Sequence, residues 1–454
     1  MDIVVFSGGT ATNSLTHCFN NVSIAENHEL TYVLPISDNG GSTSEILRVF
    51  GGPAIGDIRS RIVRVIQDEH LAKLFGYRLS SDPVAAKAEW NDIVDGSHQI
   101  WSDIPMEVKE MCRSFIIHVH TELLKKSKSS NKFQFGKASI GNLFLTGARL
   151  FMGSLDASIE LMLRIGRCSQ NIHVIPCINT NHTHHISALL TNGDIITGQS
   201  QISHPSPNAN NITTERKKDE KFVHILKEEG NNIIQREQTP DHVEEEEEYA
   251  YPLYILPELK NSQLYFNKDG DGNETKNVLL PAPIKKILYI NPYGEEIKPV
   301  GNSRVISRIK SADMIVYSIG SLMTSLLPII ILGNIAETIV KSPNANKVLI
   351  INNKHDRETV GLDGLEYVKH VIESMVRSII AYRQSKGYST FRLNSISWDK
   401  FVTDIIYLKK GEIQMNWQEL HNHNIKCHCI DSDILETDDL ESVLRTIQSE
   451  RNRT

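Results

Sequence analysis

Residues 34–61, LPISDNGGSTSEILRVFGGPAIGDIRSR, decide how this chain folds. The apolar run Tyr32–Ile36 ends in a burst of turn residues, which reads as a short buried strand. Asp38, Asn39, Gly40 and Gly41 follow. Ser42 or Thr43 then offers a helix N-cap, with Glu45 placed for a capping box. Glycines let the backbone come close to a ligand, and a fresh helix start presents unpaired N–H groups to an anion. A second burst comes at once, Gly51-Gly52-Pro53 and then Gly56-Asp57-Ile58-Arg59-Ser60-Arg61. Each loop therefore carries one carboxylate among glycines, hydroxyls and arginines. That mixture suits a phosphate and a divalent metal better than a hydrophobic ligand. Two capped surface turns would use the same residues, so the other loops have to decide.

Working outward toward the N-terminus, Asp2–Phe6 reads as a central parallel strand. It runs into Ser7-Gly8-Gly9-Thr10-Ala11-Thr12 and a helix expected from Asn13. Strand, glycine loop, helix and strand make a βαβ opening, whose first loop is where such units hold phosphates. The glycines do not follow the dinucleotide fingerprint Gly-x-Gly-x-x-Gly. Asp38 sits where dinucleotide enzymes place their ribose acid, but its own glycine loop favours metal or phosphate work.

Downstream, the pattern from Ile62 to about Leu124 is helical, and Trp90 and Trp101 read as packing residues. Ser139, Gly141 and Asn142 form a third polar cluster at the start of an apolar helix, Leu143–Met152. Strands are expected at Ile172–Ile178 and Ile186–Leu190, with the histidines of Asn181–His185 between them in a polar loop. From 204 to 282 the composition turns acidic and aperiodic, including the run Glu244–Glu248. Such a segment buries too little surface to offset its ordering entropy and is expected to be a mobile insertion. Strand character returns at Ile287–Ile290 and at Met314–Tyr317. The second of these leads through Ser318–Ser325, with Gly320, Ser321 and Thr324, into a long apolar helix. This repeats the logic of the N-terminus and marks a fourth candidate anion site. A strand at Val348–Ile351, a helix from about Leu365 to Ser385 and a strand at Ile405–Leu408 complete the pattern. The cluster His421–Cys429 reads as a turn and a strand.

The 454 residues carry a formal charge of −7, which gives no reason to expect nucleic-acid binding. Six scattered cysteines do not make a disulfide framework. The start lacks a basic, signal-like segment, and the longest apolar stretch, Leu326–Leu332, is too short to span a bilayer. A cytoplasmic protein without membrane contact is expected.

The loops together resemble the CofD/YvcK-like family, which joins 2-phospho-L-lactate transferases to bacterial gluconeogenesis-factor proteins. The resemblance rests on SGGTAT at Ser7, the stretch from Ser37 to Arg61, LFGYRL at Leu74, SIGN at Ser139, SIGSLMTSLLP at Ser318 and DRETVG at Asp356. It implies an α/β fold, a Rossmann-like parallel sheet with helices on both faces. Residues 1–203 and 283–400 then form one nucleotide-binding domain, interrupted by the insertion 204–282 and followed by a C-terminal extension, 401–454. It also implies a nucleotide diphosphate or nucleotide sugar as ligand and Mg²⁺ held by acids matching Asp38 and Asp57. Gly8, Gly9, Thr10, Asn39, Gly40, Gly41, Ser42, Arg59, Asn142, Gly320, Ser321, Thr324 and Ser325 are the expected phosphate-binding set, with Arg61 as a further cation. A homodimer is a further expectation. The sequence departs from the family pattern at Ser7, at Ala11, at Ser318-Ile319, and at Ala138, where many relatives have histidine. No general base stands out within the loops, so the catalytic residues stay unassigned. The resemblance leaves two readings: a metal-dependent transferase of a phospho-linked group, and a non-catalytic regulator of carbon metabolism that binds nucleotide sugars.

Overall fold

Seven short strands, most of them apolar runs, align into one sheet in which every neighbouring pair is parallel. The computed structural model describes residues 1–23, 28–38, 40–126, 132–203, 279–388 and 396–451. The first half holds β1 (Ile3–Phe6), α1 (Thr16–Ser23), β2 (Leu30–Leu34), α2 (Ser42–Phe50), α3 (Gly56–Val65) and α4 (Glu69–Gly76). It continues with α5 (Pro83–Asp95), α6 (Met106–Lys126), α7 (Ile140–Met152), α8 (Leu155–Ile165) and β3 (Ile172–Pro176). Then come β4 (His185–Leu190), β5 (Ile195–Thr197), α9 (Gln199–Ser203), β6 (Ile284–Ile290) and β7 (Glu296–Ile297). The second half of the large sheet is built from α10 (Ser303–Ser311), β8 (Met314–Tyr317), α11 (Leu327–Ile330), α12 (Gly333–Val340) and β9 (Asn346–Ile350). The chain closes with α13 (Gly364–Ser385), β10 (Asp404–Leu408), α14 (Trp417–Asn422), β11 (Lys426–Ile430) and α15 (Thr437–Arg451).

Strand order across the sheet is β11-β10-β9-β8-β1-β2-β3. The chain starts in the middle, winds out through β2 to β3, and later returns to fill the other side. All residues of β1, β2 and β8 are buried, as expected of parallel strands covered on both faces. Right-handed crossovers running in opposite directions from β1 put α1 on one face and α12 and α13 on the other. Phe6 is in register with Val33 of β2 and Tyr317 of β8. The loops after these three strands therefore leave the sheet side by side. The order reverses between β1 and β8, and the crevice at such a reversal is where open α/β sheets take ligands.

A second, antiparallel sheet has the order β5-β4-β6-β7. Its β4 and β6 pair across residues 204–278, which lie outside the described residues. The expected insertion therefore falls almost wholly outside them. Residues 401–454 continue the large sheet by two strands, β10 and β11. The apolar helix expected after Ser325 is instead three pieces: a π turn at Leu322–Leu326, then α11 and α12. Pro328 in α11 lacks the N–H an unbroken helix needs, and α12 departs from the preceding segment by 75°. Among the described residues no single helix is long and apolar enough to cross a membrane.

Candidate functional site

Three helix N-termini meet above the crevice, and their contacts can be followed residue by residue. The start of α2 touches that of α7, since Asn142 Nδ2 donates to Ser42 Oγ at 2.9 Å. The first turn of α3 touches α7 as well, because Arg59 Nε donates to Asn142 Oδ1 at 3.2 Å. Gly141 allows this approach: a Cβ there would lie 2.8 Å from Arg59 Cγ and 2.3 Å from the Phe75 carbonyl oxygen. The start of α3 also meets α2, as a Cβ on Gly56 would lie 2.7 Å from Thr43 Oγ1 and 3.5 Å from Asp38 Oδ2. Ser42, Arg59 and Asn142, far apart in sequence, thus form one bonded chain.

The two candidate acids frame this junction. Asp38 follows β2, is nearly buried, and accepts the Gly40 N–H on Oδ1 at 3.1 Å. Asp57, equally buried, opens α3 and rests on the first glycine loop. A Cβ on Gly9 would come within 2.0 Å of Asp57 Oδ1, and one on Gly8 within 2.6 Å of Ser325 Oγ. The glycines of the loop after β1 are thus needed so that Asp57 and Ser325 can reach its backbone. Thr10 is exposed beyond them, and its carbonyl accepts the Asn13 N–H at 3.1 Å. Asn39 lies outside the described residues. Burial and the neighbouring Arg78 push Arg59 down to about 10, against the pull of Asp57; it stays charged at neutral pH.

Two expectations about the opening stretch are corrected. The N-cap of α2 is Gly41, with φ +55° and no side-chain cap; no capping box forms. Glu45 is fully buried and instead binds Arg48 and the Gln134 N–H, tying α2 to the segment before α7. Arg61 is no phosphate ligand but a core residue. It is wholly buried, donates to Thr16 Oγ1 at 2.5 Å and lies 4.6 Å over the Tyr32 ring.

The loop after β8 is only partly open. Gly320, at φ +141°, is clamped by Asn352, which accepts its N–H at 3.0 Å and donates to its carbonyl at 2.7 Å. Ser321 donates to Asp356 Oδ2 at 3.3 Å. The N–H groups of Met323 and Thr324 both donate to Glu358 Oε2 at 3.1 Å, and Thr324 Oγ1 donates to Oε1 at 2.7 Å. Ser203 of α9 also donates to Oε1. Thr324 is therefore turned onto the protein's own carboxylate, and of this loop Ser325 reaches the glycines after β1. Burial, reinforced by Asp356, pushes Glu358 up to about 7 against these donors. Sequence reasoning assigned no role to Glu358, although DRETVG contains it; nothing local marks an acid destined for a helix start 34 residues earlier.

Donors for a hard cation and its phosphate are present. Ser7 and Ser37, at the ends of β1 and β2, are buried with no hydrogen-bond partner for their hydroxyls among the described residues, and so is Ser139 before α7. Buried polar groups are usually satisfied, so such orphans call for an explanation. Two carboxylates, hydroxyls and helix N–H groups make an all-oxygen and N–H environment. Mg²⁺ typically uses one or two carboxylates and completes its shell with substrate phosphate and water. The donor set fits that ion. The histidine and cysteine groups at Asn181–His185 and His421–Cys429 do not bring three ligand atoms together among the described residues.

A model of the family described as 2-phospho-L-lactate transferase CofD matches residues 3–445. Over 98% of this chain and 99% of the relative, the sequence is 64% identical to "Uncharacterized protein YNL011C" of Saccharomyces cerevisiae. It is 25% identical, over 38% of this chain and 56% of the relative, to the "Putative gluconeogenesis factor" of Thermotoga maritima. The fold resembles the crystal structure of protein BH3568 from Bacillus halodurans, with a TM-score of 0.56 and 16% identity over 98% of this chain and 99% of the other. From a family match along nearly its whole length, the chain belongs to the CofD family.

Proposed function

We propose that this chain binds a nucleotide diphosphate, free or linked to a second group, across the ends of β1, β2 and β8. The observation that carries this is the junction of the α2, α3 and α7 N-termini around Ser42, Asn142 and Arg59, with Asp38 and Asp57 beside it. Each helix start contributes about 0.3–1 kcal/mol per negative charge at an exposed site, so several must act together with a cation. Asp38 and Asp57 would hold Mg²⁺, which when bound would supply charge neutralisation for the diphosphate. Gly40 lets a phosphate oxygen approach the backbone, Gly8 and Gly9 make room for Ser325 and Asp57 beside it, and Arg59 supplies a fixed positive charge. Transfer of a phosphorus-linked group needs positioning and charge neutralisation more than a reactive side chain. The reaction class in keeping with this geometry is a metal-dependent transfer like that of 2-phospho-L-lactate transferase.

A second reading has its own support. Ala138, buried in front of α7, gives the site no proton carrier at that position. A site that binds without turning over would act as a nucleotide-sugar sensor. Incubating the chain with Mg²⁺ and a panel of nucleotide-diphosphate conjugates, with analysis of products and of affinity, separates the two. Release of nucleoside monophosphate supports the transferase, tight binding with intact ligand supports the sensor, and no binding by any member refutes both.

A further inference from the structure

Arg61 is, after Trp90, the largest side chain that the fold buries completely among the described residues, and no contact of the diphosphate junction uses it. Its Nε and Nη2 have no hydrogen-bond partner among the described residues. Only Nη1 is bonded, to Thr16 Oγ1 at 2.5 Å and to the Thr12 carbonyl at 3.4 Å. Burial pulls the guanidinium below its ordinary range, with Tyr32 and Asp57 acting against that. A cation held in the core without a full set of partners costs stability, and an apolar residue of similar volume would avoid the cost. Packing therefore does not account for an arginine here, but its contacts do. Asp57 and Arg61 stand one turn apart on one face of α3. Asp57 rests on the Gly9 backbone, and Arg61 holds Thr12 and Thr16 of the segment that follows. Between them Ser60 Oγ accepts from Asn13 Nδ2 at 3.1 Å. Thr12 passes this grip on, since its Oγ1 donates to the Ile319 carbonyl at 2.9 Å and to Ser318 Oγ at 3.1 Å. The guanidinium also lies over the ring of Tyr32 in β2. One buried side chain thus reaches β2, the loop after β1 and, through Thr12, the loop after β8.

We infer that Arg61 is a positioning residue of the candidate site: it holds the loop after β1 against α3, so that the Gly8-Gly9 backbone and Asp57 keep the arrangement that receives metal and diphosphate. This role rests on the diphosphate reading for its ligand and on the contacts above for the loop. Arginine suits it because one planar group can donate to two groups of a loop while its face lies on an aromatic ring.

Hydrogen exchange and calorimetry on the full chain test this with Arg61→Met, which is of similar length and lacks the charge and the donors. The melting temperature should be unchanged or raised, because an incompletely paired buried charge is lost. Amides of Ser7–Thr16 should exchange severalfold faster, while those of β2 and α3 keep their wild-type rates. With Mg²⁺, affinity for ADP, GDP, CDP or UDP, whichever wild type binds, should fall severalfold. Unchanged exchange at Ser7–Thr16 overturns the role, and so does wild-type affinity in the variant. A lower melting temperature with faster exchange spread over α1, β2 and α3 would show packing only and overturn it as well. If wild type binds none of these nucleotides, the diphosphate reading falls, and the exchange rates still decide whether Arg61 positions the loop. Should Arg61→Met fail to fold, Thr16→Val takes its place by removing the hydroxyl that accepts from Nη1. Faster exchange at Ser7–Thr16 again supports the role, and wild-type rates overturn it.

Discussion

The turn after β2 and the turn after β8 share one design, a buried strand, small polar residues and then a helical segment, but they end in opposite states. After β2, the Ser37 hydroxyl has no partner among the described residues and α2 begins at Gly41 without a side-chain cap. After β8, the backbone N–H groups of Met323 and Thr324 are filled by Glu358, which reaches in from the loop after β9. One helix start is satisfied by a carboxylate of the chain itself, and the other has no side-chain cap among the described residues. A strand leading through small polar residues into a helix therefore marks spare donors, and only the folded neighbourhood says who takes them.

The largest effect is expected on the filled side. Glu358→Ala removes the acceptor from the N–H groups of Met323 and Thr324 and from the Ser203 and Thr324 hydroxyls, which keep only each other. At about 1–3 kcal/mol for each unsatisfied buried group, roughly 3 kcal/mol or more of stability should disappear in urea denaturation. Near-wild-type stability would mean that this turn is not held by the carboxylate. The same group sets a pH dependence. Its folded value is raised to about 7 from the ordinary 4.5, so between these pH values the folded chain keeps a proton that the unfolded chain has released. Stability then falls as pH rises through that window. Glu358→Gln should flatten this slope, and an unchanged slope would point to other groups.

On the open side the expected effect is on ligand, not on folding. Asp38→Asn and Asp57→Asn are nearly isosteric, and a turn or helix start tolerates Asn. Each should keep its melting temperature while Mg²⁺-dependent affinity for a nucleotide diphosphate falls at least tenfold, about 1.4 kcal/mol. Two well-folded variants that bind and respond to Mg²⁺ like wild type would refute the metal assignment.

The smallest effects sharpen the contrast through paired hydroxyls. Ser7→Ala removes a buried group without a partner among the described residues and should change stability by less than about 1 kcal/mol. Thr324→Val removes a bond to Glu358 and should cost more, about 1–3 kcal/mol. A reversal of that order in chemical denaturation would show that Ser7 is satisfied and the open side is not open.

Much of this was legible in the chain. The strands at Ile3–Phe6, Leu30–Leu34, Met314–Tyr317 and Asp404–Leu408 announce themselves as short apolar runs ending in turn residues, because hydrophobic patterning is local. The glycines at Gly8, Gly9 and Gly56 were equally visible, since a side chain there meets its neighbours at once. What failed were assignments that needed a partner. Arg61 sits two residues from Arg59 in the same loop-to-helix context, yet helical geometry sends one toward Asn142 and the other onto Tyr32 in the core. Glu45 has capping-box character, but the path of the segment at Gln134 claimed it.

The sequence alone settled the class of the fold, the places where loops carry anion-binding chemistry, and the acids Asp38 and Asp57 as the pair to test, since all of these depend on the order and type of nearby residues. The tertiary structure decided which loops are free. Ser42, Arg59 and Asn142 meet because the fold brings the starts of α2, α3 and α7 together. Thr324 leaves the open set because Glu358 arrives there first. Satisfying a buried donor is a matter of distance in space, and distance along the chain does not report it.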